Sequence, residues 1–392
     1  MGVTCLVSIH GIGFQQPPRD GRVGYADPLH TNLHKADLGH LVLGDDPHRS
    51  DVRGPVYVQS SWHEVREAGL KRLDGPLFRD DQAQVNLAHV ALVYADLVDP
   101  GPRLASTLDA LAQTALSFDH YAHPLAAIRT IIADLAAMVT THGQRGGDEH
   151  PSLRPREDLP DDKHAHLHLL HDILRARRPR SVQSTEGPLA VLRALEDDVA
   201  DYVCRNDLRE RIRGFVQQAL RRLADRADVD AIVVNAHSQG TVVAFDVLAR
   251  SAPPKVRALV TAGSPLRKYV DFFAWGERAG MFRELMQRDR WCWLNAYDPR
   301  DPVADPLRPS RRWHLGDDPS DQPMLFRIID PNKPLTETDD CAVIDYKVDN
   351  VAHSVGSGLR AHNYWDNTAD FIPRLITLLE DLIGSRHHPV HR

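Results

Sequence analysis

Residues 231–251 read AIVVNAHSQGTVVAFDVLARS. An apolar, β-branched run too short for a stable helix gives way to the small polar turn AHSQG. It then passes into TVVAFDVLAR, where Val242, Phe245 and Ala249 recur at helical spacing and should face a sheet. A strand that enters a helix through so tight a turn is half of a βα unit, and such units build parallel sheets covered by helices.

Other segments repeat the pattern. VTCLVSI (3–9) is nearly all apolar and stops at HGIG, as a buried parallel strand feeding a glycine turn would. HVALVYADLV (89–98), ALVTAG (258–263), WCWLNAY (291–297) and CAVIDYKV (341–348) have the same character, and PVYVQSSW (55–62), with its polar centre, suits an edge or hairpin strand. The fold class expected is α/β: a mostly parallel sheet with helices on both faces. The 392 residues, 42% of them hydrophobic, are enough for one large core carrying an insertion.

The insertion is expected at 101–228, which contains no strand pattern. It holds the amphipathic stretches LASTLDALAQTAL, HPLAAIRTIIADLAAMV and LRERIRGFVQQALRRLADRA, with a polar, Gly- and Pro-rich loop among them. The chain thus divides into 1–100, the N-terminal part of the core; 101–228, a helical insertion suited to a cap or lid; and 229–392, the C-terminal part of the core.

Composition excludes several classes. The net charge is −7, from 47 basic and 54 acidic residues spread along the chain, which argues against a dedicated nucleic-acid surface. Cys5, Cys204, Cys292 and Cys341 lack CxxC spacing, so neither a zinc ribbon nor a disulfide framework is expected. The N-terminus lacks the basic and apolar regions of a secretory signal, and no run approaches ~18 apolar residues, so a cytoplasmic protein is expected.

The turn AHSQG places Ser238 between a strand end and a helix start, with the small residues Ala236 and Gly240 two positions to either side. A nucleophile at a sheet edge needs such a turn, which exposes the hydroxyl yet holds it rigidly. With Ala in place of its first Gly, AHSQG resembles the nucleophile elbow of the α/β-hydrolase superfamily, specifically its lipase- and esterase-like serine hydrolases. The resemblance covers residues 3–14 and about 229–383, not the insertion, and implies the α/β-hydrolase fold.

The resemblance also implies a chain order of Ser, then acid, then His. After Ser238, WCWLNAYDPRDPVADPL offers Asp298, Asp301 and Asp305 just past a strand. Asp301, in DPV, is similar to the acid of many α/β hydrolases and is preferred, with Asp298 as the alternative and Asp305 third. The base should follow the last strand. His362, in AHNYW before the C-terminal helix, is preferred by its similarity to the base-bearing stretch of lipase-like relatives; His353, on the Gly- and Ser-rich stretch nearer the strand, is the alternative. The intervals of about 60 residues leave room for the crossovers.

HGIG (10–13) is similar to the His-Gly-x-Gly oxyanion loop of lipases. The two backbone donors implied are Gln239, next after the serine, and Ile12, with Gly13 or Phe14 as alternatives and His10 bracing the loop. Ser264 in VTAGSPL is expected to be structural.

His164, His166, His168 and His171 share a candidate helix, but no carboxylate or Cys completes an obvious site with them, and with Leu167, Leu170 and Leu174 forming an apolar stripe a solvated helix explains the pattern. The basic run RARRPR nearby reads as a solvated linker. No metal and no organic cofactor are expected.

The function expected is cleavage of a carboxylic ester through an acyl-enzyme on Ser238, acting on a small-molecule or lipid ester. The amphipathic insertion also suits a membrane surface, as in a phospholipase-like effector. The same triad serves thioesterases, amidases and acyltransferases. A non-catalytic scaffold that binds a partner through the insertion is the contrasting alternative.

Overall fold

The computed structural model describes residues 2–11, 17–18, 23–49, 52–60, 67–79, 84–94, 202, 206–267, 282, 284–285, 291–301, 303–308, 343–354 and 360–384. Its elements are β1 (Val3–Ile9), α1 (Asp27–Lys35), β2 (Leu43–Gly44), β3 (Val56–Gln59), α2 (Glu67–Leu70), β4 (Leu87–Val93) and α3 (Asn206–Asp225). Then come β5 (Val229–His237), α4 (Gln239–Ser251), β6 (Val256–Ala262), β7 (Cys292–Tyr297), β8 (Val343–Lys347), α5 (Asn350–His353) and α6 (Phe371–Gly384).

The strands form one sheet in the order β2-β4-β1-β5-β6-β7-β8, with β3 also on β4. Every pairing is parallel. Each stretch expected to be a strand lies in this sheet. PVYVQSSW contributes the parallel edge strand β3, with Val56 opposite Val90, and not a hairpin. The two-residue β2 is too short to carry a period, so no pattern announced it.

Central strands covered on both faces are mostly apolar, and β1 and β4 are buried throughout; their polar exceptions include Ser8 and His89, which bond one another at 2.8 Å. Val3, Cys5, Val7 and Ile9 join the layer of α3 and α4, whereas Leu6 joins the layer of α1 and α6. On the first face α3 places Leu208, Ile212, Phe215, Val216 and Leu220 in the core. On the other, α1 buries Leu29 and Leu33, and α6 buries Phe371, Leu375, Leu378 and Leu379. Each such side chain contributes about 1.5–3 kcal/mol of burial, and this anchors α6 behind the turns that carry His362.

Helix α4 is buried from Gln239 to Ala249 and so has no solvent stripe, because α3 packs over it. The last amphipathic stretch assigned to the insertion is therefore a core helix. Residues 101–200, which hold the rest of the expected insertion and the histidine segment 164–171, lie outside the described residues. Among the described residues no helix is long and apolar enough to cross a membrane. Cys5 and Cys292 are both buried, and burial pushes the Cys5 thiol up to about 12.

Strand order reverses at β1, which has β4 on one side and β5 on the other. Open α/β sheets hold their ligands in the crevice outside the carboxyl ends of strands at such a switch point. His10 and Gly11 leave β1 there, and Ser238 leaves β5 there.

Candidate active site

Ser238 sits between β5 and α4 at φ 55° and ψ −131°. A side chain in this region costs on the order of 1–3 kcal/mol, which the surrounding structure must hold in place. The strand pairing does so from one side, since the Ser238 amide donates to Ala262 O at 2.9 Å. On the other side the Thr241 amide and hydroxyl both donate to Ser238 O, at 3.0 and 2.6 Å. Thr241 Oγ1 also meets Ser264 Oγ at 2.7 Å, which ties Ser264 to the frame of the turn.

The small residues of the turn have an identifiable cause. A Cβ on Gly240 would lie 2.2 Å from His10 O and 2.7 Å from Ile9 O, so only glycine lets α4 start against the end of β1. A Cβ on Gly11 would lie 2.3 Å from Ser238 Cβ and 3.0 Å from its Oγ. The backbone after β1 therefore lies against the serine side chain. Gln239 opens α4, at the positive end of the helix. Ile12, Gly13 and Phe14 lie outside the described residues.

His10 is buried and stacks on Tyr94 with ring centroids 4.0 Å apart. Its Nε2 accepts from the Tyr94 amide at 3.1 Å, so its Nδ1–H donates to Gly11 O at 2.6 Å. Burial, partly offset by Gly11 O, pushes this imidazole down to about 4, and it stays neutral as a brace of the loop.

His362 Nδ1 donates to Asp301 Oδ2 at 2.7 Å. The proton on Nδ1 leaves Nε2 as the lone-pair nitrogen. Asp301 is fully buried, and its Oδ1 accepts from the Val303 amide at 2.9 Å. Burial alone would raise its pKa, but His362, the Val303 amide and Tyr364 more than offset this and hold it below the ordinary carboxylate value. Among the described residues the Ser238 hydroxyl makes no hydrogen bond to His362, a link that in such pairs often closes only around substrate.

The alternatives sit elsewhere. Asp298 Oδ2 accepts from the Asn350 amide at 2.7 Å and Oδ1 from the Arg300 amide at 2.8 Å, tying the end of β7 to α5. The Asp305 amide donates to Ser264 O at 2.9 Å. His353 is exposed at the end of α5. His362 does not abut the C-terminal helix; it closes one 3-10 turn (Arg360–His362), and a second (Tyr364–Asp366) intervenes before α6.

Four further residues shape the site without having been singled out. Tyr364 accepts from the Asp298 amide at 2.8 Å and donates to Asp301 Oδ2 at 2.9 Å. Gly263, at φ 65°, passes so close to His362 that a Cβ would lie 2.8 Å from its Cε1. His237 donates through Nε2 to His362 O at 2.9 Å; burial and the neighbouring His362 push its imidazole down to about 3. Trp365 stands 5.4 Å from the His237 ring. The sequence signal for Tyr364 and Trp365 was their place beside His362 in AHNYW; Gly263 and His237 flank strand ends, where their partners are remote in sequence.

A cavity of about 130 Å³ opens here, lined by His10, Gly11, Tyr25, His237, His362 and Trp365 among others. The arrangement juxtaposes a strained serine, a carboxylate-oriented imidazole with a lone pair to accept a proton, and a helix start. These are the kinds of group that nucleophilic acyl transfer requires. Compared with protein-family models, with curated proteins and with solved structures, the chain finds no match.

Proposed function

We propose that the protein is a serine hydrolase of the α/β-hydrolase type that cleaves carboxylic esters. The observation that carries this reading is the 2.7 Å bond from His362 to Asp301, made at the same sheet edge as the strained Ser238 although the three residues are far apart in sequence. The parallel strand order and the switch point at β1 support the fold assignment.

In this reading Ser238 Oγ attacks the acyl carbonyl as its proton moves to His362 Nε2. Charge on the carbonyl oxygen is met by the Gln239 amide at the start of α4, and the second donor expected from the sequence is the amide of Ile12, which lies outside the described residues. Collapse of the tetrahedral adduct expels the alcohol, which takes the proton from His362, and leaves an ester on Ser238. Water attacks this acyl-enzyme, giving its proton to His362, and the acid departs as Ser238 regains its hydrogen. Asp301 stays ionised and orients the imidazolium.

Thioesters and amides fit the same geometry, because the acyl-enzyme on Ser238 is the same whichever group leaves. The test is labelling with a fluorophosphonate probe read by intact mass, followed by p-nitrophenyl esters of increasing acyl length. Labelling of wild type and not of Ser238→Ala supports the reading. A folded wild type that does not label overturns it in favour of a binding scaffold.

A further inference from the structure

On the α1 side of the sheet, away from the proposed reaction, two imidazoles converge on one carboxylate oxygen. His30 Nε2 lies 2.9 Å and His34 Nε2 3.0 Å from Asp45 Oδ1. The two histidines are four residues apart on α1 and so share one face. Asp45 follows directly on β2. We propose that His30, His34 and Asp45 form a divalent-metal site of zinc type, with its remaining coordination position open, that clips α1 to the edge of the sheet.

The ligand atoms lie within 4.8 Å of one another. A tetrahedral zinc ion with bonds near 2.0–2.2 Å spaces its ligands by roughly 3.4 Å, so small side-chain shifts suffice. Two imidazole nitrogens and one carboxylate select zinc and its neighbours over magnesium or calcium, which take oxygen donors. The pair Asp45 and His30 is buried, while the His34 side chain is 16% exposed and leaves a path for the ion and a water.

A ligating imidazole needs its second nitrogen held, and His30 has this support. Its Nδ1 meets His89 Nδ1 at 3.1 Å, and His89 Nε2 meets Ser8 Oγ at 2.8 Å. The His30 and His89 rings stack at 10° between planes. Arg53 Nη1 stands 3.5 Å from His34 Nδ1 on the solvent side; this exposed cation opposes binding and has to swing away, because a His34 that ligates through Nε2 carries its proton on Nδ1. The helix so clipped also steadies the wall of the cavity, because Asn32 on α1 donates to Trp365 O at 2.9 Å.

The test is equilibrium dialysis of chelator-treated protein against zinc, with elemental analysis, alongside thermal melts with and without zinc and visible spectra with cobalt(II). Wild type should bind one more zinc per chain than His34→Ala. Its melting midpoint should rise with zinc, and its cobalt form should show tetrahedral bands, neither effect being seen in the variant. His34→Gln can keep the hydrogen bond to Asp45 but offers no imidazole, so it separates loss of a ligand from loss of fold; its apparent zinc dissociation constant should rise at least tenfold. Equal zinc binding and stabilisation in wild type and His34→Gln, or no zinc binding by wild type, overturns the proposal.

Discussion

Tyr364 and His362 bond the same oxygen of Asp301, at 2.9 and 2.7 Å. Because Tyr364 also accepts from the Asp298 amide, one phenol fixes both the carboxylate and the loop that carries it. Tyr364→Phe removes a hydrogen bond to a charged acceptor and strands a buried amide. It should cost about 2 kcal/mol of stability in urea unfolding and lower kcat for an ester about tenfold, with KM little changed.

At position 238 strain and chemistry separate. Ser238→Ala and Ser238→Gly both remove the hydroxyl and should reduce ester turnover by about 10⁴-fold or more. Glycine alone relieves the positive φ of 55°. Ser238→Gly is expected to unfold at higher urea than Ser238→Ala, by about 1 kcal/mol. Equal midpoints would mean that the turn is not strained.

The carboxylates after β7 should differ in kind. Asp301→Asn and His362→Ala should lose activity by about 10⁴-fold, as members of one proton-transfer unit do. Asp298→Ala removes the acceptor of the Asn350 and Arg300 amides and should destabilise by about 2 kcal/mol while the folded fraction keeps its turnover. His353→Ala, exposed, should stay within about 0.5 kcal/mol of wild type and fully active. Steady-state kinetics beside urea melts checks all four.

Stability should fall in mild acid. His10 and His237 are pushed down to about 4 and about 3, while imidazoles of an unfolded chain titrate near 6.5. As pH drops below about 6.5 the unfolded chain binds protons that the folded chain refuses, so stability is lost progressively towards pH 4. Asp301, held below the ordinary carboxylate value, adds a loss at still lower pH, as it protonates in the unfolded chain first and then in the folded one. Urea midpoints at pH 7.5, 6 and 4.5 should decline in that order, and a flat profile between 7.5 and 4.5 would contradict the neutral, buried state of both imidazoles.

The alternation of short apolar runs with helical ones determined the parallel sheet, because strand and helix periods are local properties of the chain and a parallel pairing requires a crossover between strands. The turn at Ser238 was legible for the same reason: small residues on both sides of a serine, at a strand end, record a backbone that has no room for side chains. What the sequence did not contain was which partner each loop residue meets. Asp298 and Asp301 stand three residues apart after one strand, in similar Asp-Pro surroundings, and the choice between them lies in the fold of the loop. It turns Asp298 towards Asn350 and Asp301 towards His362 and Tyr364. The convergence of His30, His34 and Asp45 depends likewise on β2, two residues long, being drawn onto β4. Such contacts are set by packing between segments distant in sequence, where no local period or spacing records them, and the tertiary structure alone decided them.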